Sequence, residues 1–343
     1  MANKCCPECF GDRGLRNSII PALSDTSGRC DFCGSEGKPL VEPIRLKDFF
    51  ELLISVYEQN PQGKPLVEWL KEDWQIFTHS RMDDANAKIL LSEILDDGEI
   101  IRRNFTPSIK STSEGLAQWD TLKNELLFKN RYFLDQAIDT DRLKDLLEHL
   151  IADDIPLTWY RARTIVDAKP FDLSEMGAPP ARLATSGRAN PAGIPYLYLG
   201  SLPGTAVSEL RPHTGERACV AKFKLPLPFT AVDLRNPRQF VSPFLLADAS
   251  AIAQLRADIP FLERLGEELT RPVLPRSAAI DYIPSQYLCE FIKKSGYDGV
   301  VYRSSVSEGM NLALFDPGKA QAQSVEVYNI NRVTVDVAKA TSE

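Results

Sequence analysis

The 343-residue chain has only three histidines, His79, His149 and His213, and no stretch near the roughly 18 consecutive apolar residues of a membrane span. His79 and His213 have no neighbouring arrangement that identifies a general base or a metal ligand. An excess of positive charge is also missing. Lys and Arg number 40 against 47 Asp and Glu, a net charge of -7 with pI near 5.3, so nothing points to global nucleic-acid binding and only a local patch stays open. The opening MANKCCPECF lacks the charged-then-apolar layout of a secretory signal, so we expect a cytoplasmic chain with no membrane partner. There is no internal repeat or low-complexity tract, which argues against a solenoid. Charged residues at 25% and hydrophobic ones at 43% are ordinary for globular domains, and the length suits two of them.

Cysteine is scarce everywhere but at the start. Five of the seven fall in the first 33 residues, and Cys6-Cys9 (CPEC) and Cys30-Cys33 (CDFCG) form two C-x-x-C pairs at zinc-ribbon or zinc-knuckle separation. In a reducing compartment, four thiolates on one structural zinc are favoured over two disulfides. Four thiolates leave no open coordination position for chemistry. Cys5 could stand in for Cys6, at the less usual spacing C-x3-C.

Residues 1–43 are therefore expected to form a zinc-binding element and 44–155 a helical domain. RLKDFFELLISVYEQ, LVEWLKEDWQIF, DANAKILLSEILDD, EGLAQWDTLKNELLFKNRYFLDQAI and DTDRLKDLLEHLIADD carry apolar residues at three- and four-residue intervals. Near Pro156 proline and glycine become frequent and short alternating segments replace the helices, so 156–343 should be a mixed α+β domain. Strands are expected at TWYRART, YLYLG, ACVAKFKL, TAVDLR, GVVYRS, NLALF and SVEVYNI. Helices are expected at TAVSEL, SPFLLADASAIAQLR, PFLERLGEEL and SQYLCEFIKKSG.

WYRAR, SGRANPAGIPYLYLG, TAVSEL, GYDGVVYRSS and GMNLALF, in this order, resemble the RES domain family over about residues 157 to 318. The first half is similar to the HEPN-like N-terminal domain of some RES proteins. The resemblance implies a fold related to ADP-ribosyltransferase toxins and destruction of NAD by phosphorolysis or hydrolysis, in bacterial toxin and defence systems. It places the family's arginine at Arg161, its glutamate at Glu209 and its serine at Ser304, with Arg188 and Tyr198 as NAD contacts. Arg163 lies two residues beyond Arg161, where a strand would put both on one side, and Ser305 adjoins Ser304. Both neighbours are candidate substrate contacts. YRS stands where many relatives have proline before the serine.

The residue chemistry agrees with that assignment. Cleaving the nicotinamide-ribose bond develops an oxocarbenium-like charge that a carboxylate such as Glu209 can stabilise. The diphosphate calls for guanidinium groups, an aromatic face can stack on nicotinamide, and a serine hydroxyl can bond a ribose or phosphate oxygen. Taken singly, Glu209 reads as a solvated helix residue, Arg161 as a surface ion-pair partner and Tyr198 as a core aromatic; only the combination points to NAD. SGRANPAG is not a phosphate loop, because it lacks the glycine spacing.

Two alternatives stand beside this reading. The same bond cleavage could pass ADP-ribose to a protein, and RLKDLLEH places Arg142 and His149 two helical turns apart, a spacing permissive for a HEPN-type ribonuclease. The expected partners are NAD, with inorganic phosphate as one candidate acceptor, an antitoxin or regulatory protein, and a second copy of the chain in a homo-oligomer.

Overall fold

The computed structural model describes residues 3–108, 113–135, 138–166, 169–274, 276–334 and 337. It divides into two compact units, each discontinuous in sequence: Met1–Leu122 with Gln136–Leu150 and Asn236–Arg264, and Lys123–Asp135 with Ile151–Arg235 and Leu265–Glu343.

In the first unit, short helical turns between Pro7 and Leu23 lead into a small antiparallel hairpin, β1 (Thr26–Gly28) and β2 (Lys38–Leu40). Helices Lys47–Ile54, Leu66–Trp74 and Asp84–Leu95 follow, the last capped by the Asp83 carboxylate accepting from the Asn86 amide at 2.8 Å. Phe10 joins the core between Phe50 and Phe77, with ring centroids 5.6 and 5.8 Å away. The helix expected to run through RLKDFFELLISVYEQ stops at Ile54. Tyr57 instead starts β3 (Tyr57–Pro65), paired with β4 (Asn104–Pro107). Buried Tyr57 donates to Asp73 at 2.8 Å and accepts from the Trp74 indole at 2.9 Å, and the following Asn60, Pro61, Gly63 and Pro65 disfavour helix.

The helix expected over EGLAQWDTLKNELLFKNRYFLDQAI ends at Phe128, and Gln136 and Ala137 lie outside the described residues. Glu125 closes it: its carbonyl accepts from Lys129 and Asn130, and its carboxylate accepts from the Asp135 amide at 2.7 Å. Conversely, SPFLLADASAIAQLR and PFLERLGEEL, expected as two helices, form one, Ala249–Thr270, with Pro260 inside it. The buried stripe Ile252, Leu255, Ile259, Leu262, Leu265 and Leu269 runs unbroken past the proline. Six aliphatics at about 1.5–3 kcal/mol each outweigh the roughly 3 kcal/mol penalty of an interior proline.

The second unit is built on a seven-stranded mixed sheet in the order β11-β7-β5-β6-β10-β9-β8. Its strands are β5 (Thr158–Thr164), β6 (Leu197–Gly200), β7 (Arg217–Lys224), β8 (Ala231–Asp233), β9 (Gly299–Arg303), β10 (Met310–Leu314) and β11 (Gln321–Asn329). All neighbours are antiparallel except β8 and β9. One face buries Trp159, Leu199, Phe223, Val301 and Leu312 around Met176, and the polar edge strand β11 is largely exposed.

Candidate functional site

β5 pairs with β7 along its whole length, Thr158 to Thr164, but with β6 on its other side only at Tyr160 and Gly200. A cavity of about 460 Å³ lies where β5 and β6 part. Its wall takes Tyr160 to Ala162 from β5, Tyr198 to Gly200 from β6, Gly187 and Arg188 from the preceding loop, and Glu209 after the helix Pro203–Ser208. That helix sits tight on β6: a Cβ on Gly200 would fall 2.7 Å from the Ala206 nitrogen. The expected YLYLG strand and TAVSEL helix thus meet at a glycine that permits the close approach.

Glu209 is the C-cap of this helix, and its amide donates to the Thr205 carbonyl at 3.1 Å. Its Oε1 accepts from the Ser304 hydroxyl at 2.7 Å and from the Asn311 side-chain amide at 2.6 Å. Both partners come from the β9–β10 hairpin, so one segment about a hundred residues further along the chain fixes this carboxylate oxygen. Asn311 was not among the residues expected from sequence. It is a buried amide in the apolar run NLALF, and that mismatch was its only visible signal.

Arg161 presents the opposite situation. Its Nε and Nη1 atoms are buried yet have no hydrogen-bond partner among the described residues. Burial first, and then the neighbouring Arg163, lower its pKa to about 10. Two buried guanidinium nitrogens without an acceptor are costly, and an anionic ligand in the cavity would relieve them. Arg188 is tethered differently: its Nη1 donates to the Arg271 carbonyl at 2.8 Å and its guanidinium carbon lies 5.2 Å from the Tyr282 ring centroid.

Tyr198 lines the cavity, and its hydroxyl locks the Arg188 loop. It donates to the Asn190 side chain at 2.7 Å and accepts from the amides of Ala189 and Asn190 at 2.9 and 3.2 Å. A Cβ on Gly187 would lie 2.6 Å from that hydroxyl, so the turn needs glycine. Helix Ile283–Lys294 adds Ser285, donating to the Arg188 carbonyl, and Gln286, donating to the Gly187 carbonyl. Asn190, together with Tyr282 and Tyr302 of the cavity wall, joins the residues that sequence reading missed. The structure brings Arg161, Arg188, Tyr198, Glu209 and Ser305 around one cavity, with Ser304 bonded to Glu209. Arg163 is not in its wall: Nη1 donates to the Glu175 carbonyl at 2.6 Å and the guanidinium stacks 4.0 Å from the Phe171 ring centroid.

In the first unit, the Sγ atoms of Cys6, Cys9, Cys30 and Cys33 lie within 4.8 Å of one another, and all four residues are buried. A tetrahedral zinc with Zn–S of about 2.3 Å spaces its sulfurs about 3.8 Å apart, so this donor set fits the ion. Pro7–Cys9 is a 3-10 turn and Gly34 takes φ 72°, which shapes the two loops. Cys5 is outside the cluster, with its thiol 3.6 Å from the Val41 carbonyl.

Of the arginine-histidine pair, Arg142 lies in the first turn of the helix Thr140–Glu148 and His149 is its C-cap. Arg142 donates to the Asp258 carboxylate from Nε at 3.0 Å and Nη2 at 2.6 Å, while burial and then Arg142 lower the pKa of His149. Asp258 is 4% exposed and also accepts from Ser113 and Gln254. Arg142→Ala is therefore expected to destabilise the protein by about 3 kcal/mol, because a buried carboxylate loses its cation. Chemical denaturation checks this, and an unchanged midpoint would show the pair to be solvent-screened.

Among the described residues no helix is long and apolar enough to cross a membrane. No curated protein matches the chain. Among solved structures, a chain in the crystal structure of the M. tuberculosis MbcT-MbcA toxin-antitoxin complex is similar at 13% identity and TM-score 0.32, covering 55% of this chain and 92% of that one. The sequence profile of the RES domain matches residues 158–336, a span holding the whole of the seven-stranded sheet and every residue of the cavity wall named above. With more than half of its length matched, this chain belongs to the RES domain family.

Proposed function

We propose that the RES half cleaves the nicotinamide-ribose bond of NAD and acts as a toxin or defence effector. The observation that carries this reading is the half-buried Arg161, whose buried Nε and Nη1 have no hydrogen-bond partner among the described residues, in the wall of the cavity that also holds Glu209. A ligand that is anionic at one end and becomes cationic at a ribose carbon in the transition state satisfies both groups. NAD is such a ligand, and NAD cleavage is the activity implied by the resemblance to the RES family.

In this reading Arg161 and Arg188 take the diphosphate, with the Arg188 loop held open by Tyr198 and Asn190. The Tyr198 and Tyr282 rings supply apolar faces for the base and exclude water. Glu209 stabilises the ribosyl cation as neutral nicotinamide leaves with the bonding electron pair. Ser304 and Asn311 both bond Oε1, which orients the carboxylate before substrate arrives and leaves Oε2 for the ribose. The four-cysteine cluster would hold a structural zinc. The helical half would be HEPN-like, and Arg142 pairing with Asp258 favours a structural over a ribonuclease role for it. A separate antitoxin, or the attached helical half, would restrain the enzyme.

Incubating the pure protein with NAD and identifying products by mass tests the reading; bound NAD that never releases nicotinamide would make this half a sensor instead. Arg161→Ala is expected to weaken both NAD affinity and turnover, each by about tenfold or more, as for loss of a charge-assisted contact. Calorimetric binding beside nicotinamide release measures the two, and unchanged affinity would remove Arg161 from the diphosphate site.

A further inference from the structure

The cavity that holds Glu209 shares Arg211 and Ser305 with a second, larger one of about 960 Å³. The charged groups lining this second cavity are Arg211, Arg332 and Glu308, two cations to one anion. Among the described residues neither arginine side chain has a hydrogen-bond or ion-pair partner.

Arg211 also occupies an unusual backbone position. Its φ is 51°, and its amide donates to the Ser208 carbonyl at 3.0 Å, closing the turn two residues after Glu209. Glycine fits such a left-handed turn without Cβ strain, and it is the common residue just past a helix end. The chain places an arginine there instead. A strained residue at the junction of two cavities, with its charge uncommitted, motivates a functional role.

We propose that the second cavity admits the acceptor and that Arg211 is its specificity-determining residue, holding inorganic phosphate beside the ribose carbon. The proposal rests on the NAD-cleaving reading above. Water as acceptor would need no cation at the entrance, whereas a phosphate dianion passing a carboxylate as close as Glu209 does need one. Arg332 would add to the attraction from the outer wall. In the step, the carbon-nitrogen bond breaks and its electron pair leaves on neutral nicotinamide. A phosphate oxygen lone pair forms the new carbon-oxygen bond, and the proton left on the phosphate goes to solvent. The products are nicotinamide and ADP-ribosyl phosphate.

The test uses the full chain, with nicotinamide release and product mass followed across a titration of inorganic phosphate. For the unaltered protein the rate is expected to saturate with phosphate and the product to carry it. Arg211→Gly suits the turn, so the fold should survive; it is expected to raise the KM for phosphate by about tenfold or more, as for loss of one charge-assisted donor, without raising that for NAD. Arg211→Lys should recover part of the loss. An unchanged phosphate KM in Arg211→Gly, or ADP-ribose as the product at every phosphate concentration, overturns the proposal while leaving NAD cleavage standing. Absence of nicotinamide release under all conditions overturns both.

Discussion

Glu209→Gln is expected to slow nicotinamide release roughly 30- to 1,000-fold, equivalent to about 2–4 kcal/mol of transition-state stabilisation, while NAD affinity changes little. The split follows from when the charge is needed. Ground-state NAD has no ribosyl cation, so the carboxylate charge acts mainly as the bond breaks. Glutamine is well suited as the probe, because its carbonyl oxygen can go on accepting from Ser304 and Asn311 as Oε1 does now. The local structure should persist with the charge removed. Circular dichroism establishes the fold, calorimetry the affinity and chromatography the nicotinamide released. Full turnover by folded Glu209→Gln protein would sink the catalytic assignment.

The second large effect is expected from Cys30→Ser. One zinc per chain should copurify with the unaltered protein and be lost from this variant, with melting of the first unit. Structural zinc sites carry apparent binding free energies of about 10–16 kcal/mol, comparable with the whole stability of a domain at about 5–15 kcal/mol. Around the cluster the only regular hydrogen-bonded pairing is the three-residue hairpin β1–β2 and the isolated bridge between Cys5 and Val41 among the described residues. So little local structure cannot replace a metal anchor. Metal analysis together with limited proteolysis measures the outcome. If zinc-free protein made under reducing conditions keeps its first unit protease-resistant, the cluster is not a zinc anchor.

Most strands of the second unit were legible in the sequence, because ACVAKFKL, GVVYRS and NLALF are short apolar runs bounded by turns. TWYRART coincides with β5 from Thr158 to Thr164. The errors fell where a long-range contact overrode a local preference. Tyr57 left its helical pattern for a strand because Asp73 and Trp74 hold its hydroxyl, and Pro260 failed to end a helix whose buried stripe continues beyond it.

The sequence by itself determined the two C-x-x-C pairs, the order of the family's motifs and hence Arg161, Glu209 and Ser304 as candidates, since spacing and residue type are local properties. It could not separate Arg161 from Arg163, which the two-residue period of a strand puts on one side; packing decides that, through the Phe171 ring and the Glu175 carbonyl that engage Arg163. Nor could it reveal Asn311, whose bond to Glu209 spans 102 residues, or Arg211, whose left-handed backbone is set by the turn it closes. The inclusion of residues 236–264 in the first unit is likewise a tertiary outcome. Burial of a polar group or a charge depends on what the rest of the chain brings against it, and only the folded arrangement of distant segments supplies that.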